Sequence, residues 1–589
     1  MKTINVLILA LIVLLAACKT RQEKLDVDGI LYSQIGYDKP GQKRVVIRDS
    51  VANALHPKAR YELIGENNQV VFTSEIKYWG EKWDNHWWVA DFSQVKDEGK
   101  YRVRIISDSK IAHTDTFKIG KNLLWNETWK TMAITQLQKR IELRDLNAGI
   151  HGPEHAEGGG WQDCGGYLRE VNSHATMLVG LFDLLEQSHN RISSIDQQEL
   201  RRQIIIGLDY IAYCQDKAND LGYGKGAVIH HWPKHTNVIT GDVAKSALVF
   251  AKGAKVLKLS HSEKAEEYLA RAIQAFSWLD ENGPNHHCGG TNFSGKVEPN
   301  DGFDNRTHGA PIDFIRPVEW MTRDLVMMTY AAVELWYCQQ YEYMDKAKYY
   351  AQEVLKRQIT KDEAEGGLFG HFRLYESCDF SEKAFTHHSM AYDAGTTFPH
   401  YIVPLIEMVK IWPEDKMAKE LKEAITNFAN GYLYPACTDN PFNLLPVGYY
   451  KSEGLLVFSG LWHGMNGSYG SIAALLYDLV DFLEDNKFED IATSNLQWVA
   501  GLNSGLLEDS KYKSKSMIYG IGKEFAGSWT KIPGTVCNGF DADAQFRIKT
   551  PKLETDGPNV FTDEGWITHS GGWLSAISRR QEFTIVLPE

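Results

Sequence analysis

The stretch GGGWQDCGGYLREVNSH, which begins at Gly158, combines the residue types of a functional loop. It places Asp163 between Trp161 and a Gly-Gly pair, and an apolar pattern with helical spacing follows. A glycine-rich loop can present a carboxylate beside an aromatic ring, whereas an aspartate ahead of a helix can simply cap it. Asp163 is therefore predicted either as a functional carboxylate or as a helix cap.

Composition narrows the class of ligand that such a carboxylate could serve. The 589 residues carry a net charge of −13, which argues against nucleic acid as a partner because that role needs a basic face. The chain has 17 tryptophans and 27 tyrosines. Such rings either fill large hydrophobic cores or offer flat surfaces on which the C–H face of a sugar can stack.

The N-terminus has the layout of a signal peptide over residues 1–17. A short basic start is followed by an apolar run from Ile4 to Leu15, which is too short to cross a bilayer as a helix. The ending Leu-Ala-Ala-Cys resembles the bacterial lipobox, which implies cleavage before Cys18 and a lipid on its sulfur. An ordinary signal peptide is the alternative. Residues 18–28 read as a tether, and Thr20, where an Asp would favour inner-membrane retention, indicates an outer-membrane lipoprotein.

The rest of the chain divides into a β region and a helical region. Residues 29–120 contain short alternating runs separated by Gly, Asn and Asp, which predict a β-sandwich of immunoglobulin type. Over residues 121–589, eleven stretches have apolar residues at helical spacing, and about twelve helices fit an (α/α)6 barrel. The long segments 281–316, 359–395, 434–465 and 502–570 are predicted to be functional loops.

Four stretches together resemble glycoside hydrolase family 9. The sequence ILYSQIGYDKPGQKRVVI resembles the opening strand of the immunoglobulin-like domain that precedes many of its barrels, and the stretch from Gly158 resembles its first catalytic motif. The sequence LWHGMNGSYGSIAALLYDL is similar to a late helix, and FTDEGWITHSGGWLSAIS stands where the family places its catalytic acid. The resemblance implies hydrolysis of a β-linked glycan with inversion.

The resemblance also implies roles for two carboxylates. Glu564 would be the general acid, and Asp163 would be the base or would position the attacking water. An exposed loop glutamate is the alternative for Glu564. Since Asp563 and Trp566 adjoin it, a like charge and an apolar ring are both expected to raise its pKa.

One departure from the family pattern bears directly on catalysis. In the family motif a second aspartate is the base, but this chain has Gly166 there. Either Asp163 acts alone, another residue substitutes, or the protein no longer hydrolyses. Two rival functions follow, a glycan-binding lipoprotein that has lost hydrolysis and a polysaccharide lyase on the same type of barrel.

The remaining candidates are aromatic and histidine side chains near the motifs or in the long loops. Core packing or bonding to the backbone is the alternative for each, and His230 and His231 form a further loop pair. The predicted substrate contacts are Trp161, Trp566, Trp573, His151, His155, His387, His388 and His569. No cofactor is required, although Asp301 and Asp304 in NDGFDN are weak calcium candidates. The oligomeric state is left open.

Overall fold

The computed structural model describes most of the chain between residues 23 and 579. The described ranges are 23–141, 157–164, 168–233, 236–284, 319–364, 366–373, 376–377, 402–446, 448–450, 454–457, 465–503, 514–522, 531–539 and 564–579. The signal-peptide and lipidation predictions lie outside these ranges. So do Gly166, His151, His155, Asp301, Asp304, His387, His388 and Asp563.

The N-terminal domain is a sandwich of two sheets. Its strands are β1 Glu23–Lys24, β2 Gly29–Leu31, β3 Tyr37–Asp38, β4 Arg44–Asp49, β5 Arg60–Gly65, β6 Val70–Glu75, β7 Lys77–Lys82, β8 Asn85–Asp91, β9 Gly99–Ser107, β10 Lys110–His113 and β11 Phe117–Gly120. One sheet has the order β2-β4-β8-β7. The other has the order β1-β10-β9-β11-β3, with β5 bonded to both β9 and β6.

The sheet that contains β4 is buried on both faces. Val45 and Ile47 face the core of the sandwich, whereas Val46 between them packs into the core of the helical domain. The same division separates Trp88 from Trp87 on β8. Side chains alternate between the faces of a strand, so this sheet supports the barrel on one side and closes the sandwich on the other.

Arg44 joins the two domains through its buried side chain. Its guanidinium donates to the backbone carbonyl oxygens of Pro441 (3.1 Å) and Phe442 (2.8 Å) and to Ser494 Oγ (2.9 Å). The Trp87 ring packs edge-on against Phe442 at a centroid distance of 5.2 Å. Hydrogen bonds to a charged group are among the stronger ones in proteins, so the β domain is firmly attached to the barrel.

Twelve long helices form the second domain in the described ranges, with Leu123 beginning the first. They are α1 (Leu123–Lys130, continued by a π-helical turn Thr131–Thr135 and by Gln136–Ile141), α2 Val171–Ser188, α3 Ser194–Asp220, α4 Thr240–Leu257, α5 Ser262–Asn282, α6 Thr322–Tyr337, α7 Tyr343–Leu355, α8 Val403–Ile411, α9 Lys416–Asn427 (continued by Phe428–Leu433 and Tyr434–Thr438), α10 Asn466–Leu483, α11 Lys487–Val499 and α12 Ile567–Arg579. Short strands β12 Gly448–Tyr450, β13 Gly454–Leu456, β14 Val536–Cys537 and β15 Gly565–Trp566 lie between them.

Every second helix belongs to an inner ring. Helices α2, α4, α6, α8, α10 and α12 contact one another in sequence, and α12 returns to α2. Their residues are buried nearly all round, whereas outer helices such as α5 and α9 bury one stripe. Outer and inner helices alternate along the chain, so the inner helices run parallel and their N-termini share one end of the barrel. The predicted immunoglobulin-like sandwich and (α/α)6 barrel are therefore confirmed.

Glycines let α12 approach its neighbours closely. A Cβ at Gly571 would lie 2.6 Å from the backbone oxygen of Thr176 on α2, and one at Gly572 would lie 2.3 Å from Ser471 Oγ on α10. Both distances are shorter than side-chain atoms tolerate. The Gly-Gly pair thus fixes α12, and with it the segment that begins at Glu564.

Candidate active site

Three segments meet where inner helices α2 and α12 begin. They are the loop 157–164 with residues 168–170 ahead of α2, the segment Thr535–Asn538, and residues 564–566 ahead of α12. Strand β14 pairs antiparallel with β15, with Cys537 opposite Gly565. The backbone N–H of Ile567 also donates to the carbonyl oxygen of Asp163 (2.9 Å). The two predicted carboxylate motifs therefore lie together, although about 400 residues separate them in sequence.

The glycine run has a backbone that other residues rarely adopt. Gly158, Gly159 and Gly160 have φ of 81°, 75° and 82°. A Cβ at Gly160 would lie 2.7 Å from His174 Nε2, the atom that accepts the backbone N–H of Trp161 (2.9 Å). Burial lowers the pKa of His174 to about 3, so this imidazole is neutral and its other nitrogen carries the proton. The loop is fixed by backbone geometry and by this histidine.

Asp163 is fully buried and bound by backbone groups. Its Oδ1 accepts the N–H of Cys164 (2.7 Å), and its Oδ2 accepts the N–H of Glu170 (3.3 Å), the residue that precedes α2. Burial first, and then the negative charge of Glu170, raise the pKa of Asp163 to about 6, although these two hydrogen bonds partly oppose the rise. Asp163 thus satisfies one N–H at the start of α2 and is also a carboxyl group with a perturbed pKa, which is typical of functional sites.

Glu564 occupies the end of the strand pair beside Asn538. The backbone N–H of Asn538 donates to the Glu564 carbonyl oxygen (2.8 Å), and the side-chain amide of Asn538 donates to Glu564 Oε2 (3.4 Å). Unlike Asp163, Glu564 is partly exposed. Because of this exposure, the Glu564 carboxyl group can contact a ligand at the surface of the site.

The surroundings of Glu564 favour its protonated form. Burial is the largest cause of a rise in its pKa to about 8, and the charges of Asp163 and Glu170 add to it. The side chains of Trp566 and Asn538 act in the opposite direction. The predicted rise in the pKa of Glu564 thus agrees with the structure, with burial as its largest cause.

Arg140 ties the two carboxylate motifs together. It lies on α1, is fully buried, and donates from Nη1 to the carbonyl oxygens of Gln162 (2.9 Å) and Cys164 (2.7 Å). Its Nη2 donates to Thr535 Oγ1 and to the carbonyl oxygen of Gly565, both at 3.1 Å. Burial lowers the pKa of Arg140 to about 10, so the guanidinium stays charged at neutral pH. The Arg140 side chain therefore binds residues that are adjacent in sequence to Asp163 and to Glu564.

A buried chain of three charged groups, which was not predicted, extends from Asp163. Glu170 Oε1 lies 3.4 Å from His230 Nε2, and His230 Nδ1 lies 2.6 Å from Asp242 Oδ2 in the first turn of α4. Burial alone would lower the pKa of His230, but the charges of Asp242 and Glu170 raise it well above its usual value. The loop pair His230-His231 was the only sequence signal for this array, because Glu170 and Asp242 lie in ordinary helix-start patterns.

The prediction that Trp161 and Trp573 contact the substrate is wrong, because both side chains are core residues. Trp161 is 0% exposed, stacks on His174 and donates from Nε1 to Gln203. Trp573 is 1% exposed and donates from Nε1 to Thr128. A ring enclosed by protein has no face left for a sugar, so these tryptophans pack the helices behind the site.

Trp566 and His569 are also buried, but they lie beside the acid candidate. The Trp566 residue is 8% exposed and acts on Glu564 as described above. His569 Nε2 bonds to Asn538 Oδ1 (2.5 Å), so its imidazole orients the amide that contacts Glu564. The structure thus gives His569 a protein partner in place of the predicted sugar contact.

Metal binding and membrane crossing have no candidates in the described ranges. No group of three or more His, Cys, Asp or Glu side chains there is arranged to hold a metal ion. Among the same residues, no helix combines the length and the apolar character that a membrane span requires. The weak calcium candidates Asp301 and Asp304 stay predictions.

Two known protein families match parts of the chain. Residues 120–527 match the family described as Glycosyl hydrolase family 9, and residues 28–110 match the Cellulase N-terminal ig-like domain. The first match covers more than half of the chain, which therefore belongs to glycosyl hydrolase family 9, a family of enzymes that hydrolyse glycosidic bonds. Glu564 lies beyond the matched range, so its role depends on the site geometry.

Solved structures share the two-domain fold. A metagenome-derived glycoside hydrolase family 9 endoglucanase is 16% identical, with a TM-score of 0.64 over 93% of this chain and 98% of that one. Bacteroides ovatus GH9 is 13% identical, with a TM-score of 0.60 over 94% and 98%. AaCel9A in complex with cellobiose-like isofagomine is 14% identical, with a TM-score of 0.54 over 93% and 99%. No curated protein matches the sequence.

Proposed function

We propose that this protein hydrolyses a β-linked glucan with inversion at the anomeric carbon. The observation that carries the proposal is a pair of carboxyl groups with unlike pKa, about 6 for Asp163 and about 8 for Glu564, held on segments that Arg140 joins. Pairs whose surroundings separate their pKa values can divide acid and base roles. The substrate class is supported by the similar structures, which include an endoglucanase and a complex with a cellobiose-like inhibitor.

The two carboxyl groups have separate tasks in this reaction. Glu564, protonated at neutral pH and partly exposed, donates its proton to the oxygen of the leaving sugar. Asp163, largely ionised at neutral pH, positions or activates the water that attacks the opposite face of the ring. Inversion follows because water displaces the leaving group directly, without a covalent glycosyl-enzyme intermediate.

The pH dependence of kcat/KM tests this division of roles. Since Glu564 must be protonated, we expect activity to be lost as pH rises through about 8. Since Asp163 must be ionised, we expect activity to be lost as pH falls through about 6. The measurement is the initial rate on soluble cello-oligosaccharides from about pH 5 to about pH 9. A rate that still rises above about pH 9 would exclude Glu564 as the acid.

The same assay separates the rival functions. A binding protein would retain the oligosaccharides without releasing reducing ends. A lyase would act on uronic-acid chains and release products whose unsaturated chain ends absorb in the ultraviolet. Release of reducing ends from a neutral β-glucan, without such absorbance, is the result expected for a hydrolase.

We further propose that the protein is an exported lipoprotein anchored through Cys18 to the bacterial outer membrane. The apolar run and the Leu-Ala-Ala-Cys ending of residues 1–18 support this placement. Expressed in a bacterium with palmitate label, the full chain should take up lipid and sediment with membranes, and Cys18→Ser should do neither. Cys338→Ser, the same change within the barrel, is the control. Equal labelling of the Cys18→Ser variant would contradict the anchor.

A further inference from the structure

An inverting hydrolase needs one group that orients the attacking water and a base that accepts a proton from it, and Asp163 is firmly held. Each of its oxygens already accepts a backbone N–H, from Cys164 and from Glu170. Such bonds fix the carboxylate and leave it suited to orienting a water molecule. A second carboxylate nearby is therefore a candidate for the base.

Glu170 is that second carboxylate. Its backbone N–H lies 3.3 Å from Asp163 Oδ2, so the two residues adjoin, and its side chain is fully buried. Although it occupies the N-cap position of α2, its side chain does not cap the helix. The carboxylate instead lies beside His230, with Oε1 3.4 Å from Nε2.

The groups behind Glu170 stabilise its ionised form. His230 lies between Glu170 and Asp242, and its Nδ1 is 2.6 Å from Asp242 Oδ2. A protonated imidazole between two carboxylates lowers the cost of burying both, because buried charges require pairing. Asp242 lies in the first turn of α4, where the helix dipole also favours a negative charge.

Glu170 is also within electrostatic reach of both other carboxyl groups. Its charge raises the pKa of Asp163 and contributes to the raised pKa of Glu564. The charge of Asp163 acts on Glu564 in the same way. The acid candidate therefore lies within the electrostatic range of two carboxylates.

We propose that Glu170, supported by His230 and Asp242, is the general base of this hydrolase, and that Asp163 orients the water. This assignment rests on the proposed function. Water oxygen bonds to the anomeric carbon as the bond from that carbon to the leaving oxygen breaks. Glu564 gives its proton to the leaving oxygen and Glu170 takes a proton from water. Exchange with solvent then restores both groups.

Rescue by azide tests the base assignment. We expect Glu170→Ala to lower kcat on a fluorogenic β-cellobioside about 10²–10⁴-fold. Added azide should restore turnover and yield an α-cellobiosyl azide, because azide is a nucleophile that needs no base and attacks the same face as water. Glu170→Gln keeps the size and polarity of the side chain, so it guards against a folding defect and should be equally slow. Circular dichroism and retained binding of cellotetraose verify that both variants fold.

Asp163→Ala is the matched comparison, since it opens space in the same site. If azide rescues this variant while Glu170→Ala stays inactive, Asp163 is the base and the assignment is wrong. Wild-type activity in Glu170→Gln would overturn the base assignment but not the proposed function, because the protein would still hydrolyse the glucoside. A wild-type protein that turns over no β-glucoside would overturn the proposed function and this assignment with it.

Discussion

Glu564→Gln is expected to lower kcat on a β-glucan about 10²–10⁴-fold, which is the usual contribution of a general acid. Glutamine retains an oxygen that can accept the 3.4 Å hydrogen bond from Asn538, but it has no acidic proton. The site should therefore keep its shape and still bind oligosaccharide. The measurements are kcat on cello-oligosaccharides and the dissociation constant for cellotetraose.

Leaving-group chemistry makes this prediction specific for an acid. A substrate with an acidic phenol as leaving group needs little protonation, so Glu564→Gln should retain most of its activity on such a substrate. Glu266→Gln, the same change on an exposed position of outer helix α5, is the control and should match the wild type on both substrates. Equal losses of Glu564→Gln on both substrates would contradict the acid role.

Arg140→Met is expected to cause the largest loss of stability among single changes at the site. Its guanidinium makes four hydrogen bonds, to Gln162, Cys164, Thr535 and Gly565, and the side chain is fully buried. Methionine fills similar space but leaves those oxygens without their donor. Each buried acceptor left without its donor costs about 1–3 kcal/mol, so the free energy of unfolding should fall by several kcal/mol. Urea unfolding followed by tryptophan fluorescence measures the change.

Arg140→Met should also lower kcat by more than any loss of folded protein explains. The bonds to Cys164 and Gly565 fix the neighbours of both carboxylates, so kcat should fall even in conditions where the variant is fully folded. Arg202→Met, on an exposed part of α3 with a surface pair to Glu199, is the matched control and should change stability by about 1 kcal/mol or less. An Arg140→Met variant that unfolds at the same urea concentration as this control would contradict the linking role.

The architecture was predictable because its local patterns are strong. Apolar residues at helical spacing marked eleven helices, and short alternating runs marked the sandwich. The pattern is weakest in α12, where Gly571 and Gly572 interrupt the apolar stripe, and only the family resemblance indicated a helix there. The double burial of β4 could not be predicted, because an unbroken run such as Val45–Ile47 does not say which partner covers each face.

The site was predictable only in part, since its residues are distant in sequence. Asp163 was indicated by its glycine-rich loop, and Glu564 by its position relative to the family pattern. Glu170 and Asp242 gave no signal, because a carboxylate at a helix start is ordinary and the contacts with His230 arise only in the folded chain. Trp161 and Trp573 were misassigned for a related reason, as a tryptophan beside a motif can face the site or the core.

The anomeric configuration of the first product tests the central claim most directly. Proton NMR during the first minutes of hydrolysis distinguishes the α-anomer from the β-anomer before mutarotation mixes them. An inverting enzyme that acts on a β-linked glucan releases the α-anomer first, and this is the result we expect. Initial release of the β-anomer would show retention through a covalent intermediate and would contradict the roles assigned to Glu564, Asp163 and Glu170.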